Sequence, residues 1–256
     1  LKIFQPLNLS DSFFISQLQN LSAESYVVVA FRMLPKKVWT IPPLGTINLH
    51  ASLLPNYRGA APINWVLING ESKTGVTTFL INENIDTGAL LMQEKLYIED
   101  NFCAGDIYDK LLDIGAPLIV QTLINLKKGN LIPKKQKKLK KLNDAPKLTS
   151  QNTRINWNLT LTQINNLIRG LSPYPGAWTE YSIDNVTNRI KIFKAKIVIK
   201  SHNHKINTLI VEDNNIFIAH KEGLLNCIEI QLPNKKRMIA KDLLNGYIFS
   251  ESTYVL

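Results

Sequence analysis

The chain has 256 residues, 45% of them hydrophobic and 20% charged, with a net charge of +10. No run of 18 apolar residues occurs, so no ordinary membrane-spanning helix is expected. The opening LKIFQPLNLSDS reads as neither a signal nor a transit peptide, and the length and balance allow one large domain or two, each with a sizeable core.

In chain order, FFISQLQNL (13–21) reads as the end of a short helix. Residues 25–31, SYVVVAF, form a continuous β-branched run, the pattern of a strand buried on both faces of a parallel sheet. A helical turn over 35–39 leads to TINLH (46–50). Its period of two places Thr46, Asn48 and His50 on one face and Ile47 and Leu49 on the other. The loop ASLLPNYRGAAP follows, carrying Arg58 and Gly59 between prolines. PINWVLING (62–70) reads as a helix with proline in its first turn and glycine at its end. Strands are expected over 75–81 and 89–98, joined by the polar loop INENIDTG. A helix over 106–126 follows, with apolar residues at helical spacing and a stop at Gly129.

Between Lys127 and Lys147 lie nine lysines and one acid, a local charge of +8 that leaves only about +2 for the remainder. The segment contains Pro133 and Pro146 and no hydrophobic period. It reads as a linker over 131–150, with the electrostatic footprint of a polyanion partner. Beyond it the pattern changes to one helix over 161–171, with Ile164, Leu167, Ile168 and Leu171 facing inward. Five short strands follow near 177–183, 189–199, 208–212, 216–220 and 225–232, then a helix from Ala240. Short strands separated by turns point to a small OB-like β-barrel over 151–256. Trp65 and Trp157 read as packing residues. Cys103 and Cys227 read as separate buried thiols in a reducing cytoplasm. His202 and His204 lack the neighbours a metal site needs, so no metal is expected.

Asn48, His50 and Asp86 of IDTG all lie at strand ends or turns. Together they form a toolkit for acyl-group transfer that needs no serine or cysteine nucleophile. When an amine attacks a formyl carbon, the carbonyl oxygen becomes an alkoxide and the nitrogen becomes cationic. A donor fixed at the oxygen, the Asn48 amide or a His50 N–H, stabilises that charge. A carboxylate beside His50 orients the imidazole, and Asp86 can manage the proton passing between nitrogens.

The string INLHASLLPNYRGAAPINWVLINGESKTGVTT, with D-T-G placed 36 residues after His50, resembles the 10-formyltetrahydrofolate-dependent formyltransferases, and within them the branch acting on transfer RNA. IYDKLLDIGAPLI, RINWNLT, IRGLSPYPGAW and AKDLLNG extend the likeness to the second half. The resemblance implies an α/β fold: a partial Rossmann-like formyltransferase domain with a mainly parallel sheet over 1–130, then a C-terminal OB-like barrel that helps hold the tRNA. It implies catalytic roles for Asn48, His50 and Asp86. It implies folate contacts, largely through backbone, at Phe31, Arg32, Met33 and Leu34, at Ser52, Leu53, Leu54 and Pro55, and at Asn82, Glu83, Asn84 and Ile85. Beside the resemblance, Arg58 reads as either contacting substrate or ordering its own loop, and the charge block assigns tRNA contact to Lys134, Lys135, Lys137, Lys138, Lys140 and Lys141.

The expected activity moves a formyl group from 10-formyltetrahydrofolate to the amino group of methionyl-initiator-tRNA, with no DNA or membrane partner and as a monomer. Two alternatives stand beside it: the same donor acting on a small amine, such as glycinamide ribonucleotide or an amino-sugar nucleotide, and a non-catalytic RNA-binding remnant. The family's opening G-T-P-x-F-A strand is not found ahead of residue 1, and no initiator Met is present. The expectation is therefore an incomplete chain whose strand around Val27–Val29 is an exposed hydrophobic edge.

Overall fold

The computed structural model describes residues 2–30, 33–137, 140–184 and 186–256. The chain divides into two compact units, Leu1–Pro62 with Lys73–Tyr97 and Asp109–Pro146, and Ile63–Ser72 with Ile98–Tyr108 and Lys147–Leu256. The division in the lysine-rich stretch falls after Pro146, so most of the segment expected as a linker belongs to the first unit.

In the first unit, α1 (Ser12–Asn20) is capped by Asp11, whose carboxylate accepts from the N–H groups of Phe13 and Phe14. β1 (Tyr26–Val28) lies parallel to β2 (Thr46–His50), with Val28 opposite Asn48. The short α2 (Lys36–Trp39) stands between them in sequence, and its Trp39 carbonyl accepts from the Thr46 hydroxyl. After β3 (Arg58–Gly59), and after α3 (Pro62–Ile68), which from Ile63 on belongs to the second unit, β4 (Lys73–Leu80) and β5 (Leu90–Tyr97) form an antiparallel hairpin. β4 also runs antiparallel to β2, with His50 opposite Thr77. The sheet order is β1-β2-β4-β5. Among the described residues the parallel pairing of this sheet is therefore confined to β1 and β2, and the hairpin supplies the rest.

The β-branched run that begins the sheet does not sit between two layers. β1 is its edge strand, with Val27 43% and Val29 57% exposed. The helix α4 (Ala104–Lys127) covers the sheet from Asp109 onward. At Gly115 a Cβ would stand 3.1 Å from the Leu49 side chain and 3.7 Å from Val76, so glycine lets the helix backbone lie directly on β2 and β4. That contact uses the Leu49 face of β2. β6 (Asp144–Ala145) runs parallel to β3.

The second unit is built on β7 (Ala177–Ile183), β8 (Val186–Val198), β9 (Leu209–Glu212), β10 (Asn215–His220), β11 (Gly223–Gln231), β12 (Met238–Ile239) and β13 (Tyr254–Val255). The strand order is β13-β7-β8-β11-β10-β9, with β12 on β11. A bridge between Thr208 and Tyr254 brings the two ends together, giving a nearly closed antiparallel barrel. α5 (Leu161–Gly170) starts at a capping box of Thr160 and Gln163 and buries Leu161, Ile164, Leu167 and Ile168 in the barrel core. Trp157 belongs to the same core and donates to the Thr179 hydroxyl. α6 (Ala240–Leu244) closes the set.

Candidate active site

The strand period of β2 carries Asn48 and His50 to one side, and the chain then turns sharply into the loop at residues 51–61. His50 is buried and its Nε2 donates to the Tyr57 carbonyl at 2.8 Å. A carbonyl only accepts, so Nε2 carries a proton and Nδ1 is the nitrogen left to face the rest of the site. Opposite it stands Asp86, with Oδ2 3.7 Å from Nδ1 and both side chains largely shielded from water. That gap is too long for a direct hydrogen bond and short enough for a water or a small movement to close it. Among the described residues the Asn48 side chain makes no hydrogen bond, so its amide is uncommitted. His50 and Asp86 are thus brought together at the end of β2, the strand that also carries Asn48 two residues before His50.

Asp86 is positioned by two devices. Its backbone takes a φ of +51°, a conformation that favours Asp, Asn and Gly. Its Oδ2 accepts from the Gly59 N–H at 2.9 Å. Gly59 itself has φ +120°, and a Cβ there would fall 2.5 Å from the Ala145 carbonyl oxygen, so β3 and β6 approach as closely as they do only because glycine is present.

Of the residues assigned to folate by resemblance, Ser52 and Leu54 serve the loop. The Ser52 hydroxyl donates to the Asn56 carbonyl at 2.7 Å, and its own carbonyl accepts from Thr77 Oγ1 at 2.6 Å. Gln93 donates to the Leu54 carbonyl at 3.0 Å and to Thr77 Oγ1 at 2.9 Å. Leu53 and Pro55 are half-buried in the same loop. Asn82, Glu83, Asn84 and Ile85 form an exposed turn in which Asn82 Oδ1 accepts from the Asn84 N–H. Glu83 pairs with Lys36, whose ammonium holds the Glu83 carboxyl below its ordinary range. Met33 and Ile85 are 71% and 61% exposed, and Leu34 is half-buried. Phe31 and Arg32 lie outside the described residues.

Lys134, Lys135, Lys137, Lys140 and Lys141 are exposed, and Lys138 lies outside the described residues. The backbone of Lys134 exchanges two hydrogen bonds with Leu90. Arg58 turns its Nε and Nη2 onto Gln136 Oε1, at 3.2 and 2.5 Å, and so orders its own loop. Asn143, Asp144 and Ala145 take up the backbone of residues 57–61, with the Ala145 carbonyl accepting from Ala60 and Ala61. Gln136 and Tyr57 belong to this site without any sequence pattern marking them, whereas Gly59, visible as the glycine of the loop, proves also to be a donor to Asp86. The one visible signal for Gln136 was a neutral amide amid lysines, and nothing local named its partners, which lie 48 to 78 residues away. Among the described residues no group of three His, Cys, Asp or Glu side chains is placed to hold a metal ion.

Residues 1–123 match the formyl transferase family, and residues 147–248 match the formyl transferase C-terminal domain. The chain is 48% identical over 255 residues to the methionyl-tRNA formyltransferase of Flavobacterium johnsoniae, spanning 100% of this chain and 81% of that protein. Its fold resembles HypX from Aquifex aeolicus, solved in complex with tetrahydrofolic acid, with a TM-score of 0.66 at 18% identity. The likeness covers 90% of this chain and 40% of that one. It also resembles methionyl-tRNA formyltransferase from Clostridium thermocellum, with a TM-score of 0.57 at 19% identity over 72% of this chain and 77% of that one. The chain belongs to the formyl transferase family.

Proposed function

We propose that the protein transfers the formyl group of 10-formyltetrahydrofolate to the amino group of methionyl-initiator-tRNA, giving formylmethionyl-tRNA. The observation that carries this reading is the 3.7 Å approach of His50 Nδ1 and Asp86 Oδ2 at the end of the strand that also carries Asn48. The choice of acceptor is supported by 48% identity to a methionyl-tRNA formyltransferase along the whole chain and by the +8 segment between Lys127 and Lys147. Cytoplasmic work as a monomer goes with this reading, and the free thiols of Cys103 and Cys227 are in keeping with a reducing compartment.

The chemistry balances with the protein supplying no atoms. The acceptor nitrogen adds to the formyl carbon, and the carbonyl oxygen takes the electron pair. Asn48 Nδ2 donates to that oxygen while the charge is present. The acceptor nitrogen then gives up a proton, and the leaving nitrogen of the folate gains one as its bond to carbon breaks. His50 and Asp86 hold and pass that proton, the imidazole steadied by its Nε2–H bond to Tyr57. The exposed apolar side chains of Met33 and Ile85, with the backbone of the turn at Asn82–Ile85, suit the flat faces and polar edges of a pteridine ring.

The test is formylation of methionyl-tRNA by the purified chain with 10-formyltetrahydrofolate. His50→Ala is expected to lower kcat by about 10²–10³, the range lost when a positioned proton-transfer group is removed. A His50→Ala protein as active as the parent overturns the reading.

A further inference from the structure

Gln136 is 8% exposed in the middle of a run whose neighbours Lys134, Lys135 and Lys137 all face solvent. A glutamine amide has one acceptor oxygen and two N–H donors, and here each end is fully used. The oxygen accepts from Arg58 Nε and Nη2. The nitrogen donates to the Asp86 carbonyl at 2.8 Å and to the Gly88 carbonyl at 2.9 Å. A guanidinium only donates and carbonyls only accept, so the orientation of the amide is fixed by its partners.

These bonds close a circuit. Gln136 holds Arg58 and the Asp86 backbone. The Gly59 N–H, one residue along from Arg58, holds the Asp86 carboxylate at 2.9 Å. Asp86 is thus gripped at both ends, its carbonyl by Gln136 and its Oδ2 by a loop that Gln136 also anchors. We infer that Gln136 is a positioning residue: it sets the Asp86 carboxylate against His50 by tying the loops at residues 58–59 and 86–88 to the lysine-rich segment. The inference rests on reading His50 and Asp86 as the reacting pair. It adds that one extended stretch has two faces with separate duties, cations outward toward a polyanion and an amide inward toward the carboxylate.

The two duties separate kinetically. A residue that only aligns Asp86 acts on kcat, because misplacement of a proton-handling group by a fraction of an ångström to 1 Å costs up to about a hundredfold in rate. A lysine that meets tRNA phosphates acts on KM. The experiment uses the full chain with Gln136→Met, which keeps the length without hydrogen bonds, and Gln136→Glu, which keeps an acceptor for Arg58 but offers no donor when ionised. Lys135→Ala/Lys137→Ala is the comparison. The readouts are kcat, KM for methionyl-tRNA, melting temperature, and hydrogen exchange by NMR at the Gly59 amide. The Ala61 amide, which bonds to Ala145, is the internal reference.

The expected result for both Gln136 variants is a kcat lowered about tenfold to a hundredfold, with KM for tRNA within about threefold. Gly59 exchange is expected to rise at least about tenfold relative to Ala61, as when a protecting hydrogen bond is released. The lysine double variant is expected to raise KM for tRNA and leave Gly59 exchange as it was. If Gln136→Met unfolds, Gln136→Glu decides the case by the same measurements. Parental kcat and parental Gly59 exchange in the folded variant overturn the inference, as does a loss confined to KM. A parent chain that forms no formylmethionyl-tRNA removes the proposed function alone, and Gly59 exchange still decides whether Gln136 places Asp86.

Discussion

Asp86 has to satisfy a backbone demand and a chemical one with the same few atoms. Its φ of +51° restricts the position to residues that tolerate the left-handed region, and its carboxylate must reach both the Gly59 N–H and the His50 ring. Asp86→Asn is therefore the informative change. Asn accepts the same backbone conformation and still offers an oxygen to Gly59, so only the charge and its capacity for a proton are lost. The expected outcome is a kcat lower by about 10²–10³ with an unchanged melting temperature. Asp86→Ala adds backbone strain of about 1 kcal/mol or more, visible as a lower urea midpoint. Asn48→Ala is expected to cost about 10² in kcat while leaving KM for both substrates near the parental values, because its amide is needed most when the oxyanion forms. A change in KM alone would assign Asn48 to ground-state binding instead.

The pairing of β3 with β6 is the element on which this arrangement hangs, and it is only two residues long on each side. Gly59→Ala would drive a methyl into the Ala145 carbonyl oxygen at 2.5 Å from a conformation that L side chains rarely adopt. The expected cost is about 2–4 kcal/mol by urea unfolding, together with loss of activity as the Gly59 N–H leaves Asp86. In the barrel, β11 buries the Cys227 thiol completely, and burial pushes its pKa up from 9.0 to about 12. The folded state keeps that proton where the unfolded chain gives it up. Its contribution is fully present below pH 9 and is lost as pH rises toward 12, at a slope approaching about 1.4 kcal/mol per pH unit. Cys103, half-buried and shifted the same way, supplies a further part. Urea midpoints measured between pH 9 and 10 should fall less steeply in Cys227→Ala than in the parent. Tyr181, also raised by burial, adds the same share to parent and variant in that window, so the difference between their slopes belongs to Cys227. Equal slopes would mean that water reaches the thiol.

Over the whole molecule, local periodicity was enough to read most elements, because strands and helices are decided by which of their own faces is apolar. The TINLH alternation placed Asn48 and His50 together, and the helical spacing of Ile164, Leu167 and Ile168 marked the buried face of α5. Periodicity carries no information about how distant segments meet. The run from Lys134 to Ala145 has no apolar repeat and read as a tether, yet Lys134 and Gln136 are bonded to Leu90, Asp86 and Gly88, and Asn143 and Ala145 to residues 57–61. Lys135, Lys137, Lys140 and Lys141 lie within five residues of Gln136 and are all exposed, so their proposed part in meeting tRNA phosphates can be tested apart from it. Replacing these four by alanine lowers the segment from +8 to +4 without touching Gln136. Each tRNA phosphate deprived of its lysine should reduce the slope of log(kcat/KM) for tRNA against log[salt] by roughly 0.7–0.9, about 3 in all, while saturating kcat stays near the parental value. An unchanged slope would move the tRNA-binding surface elsewhere, to the cations of the barrel, of which Arg154 and Arg189 already stack on Trp178. A fall in kcat with the slope would show instead that these lysines help seat the segment, and that phosphate binding and the alignment of Asp86 are one event.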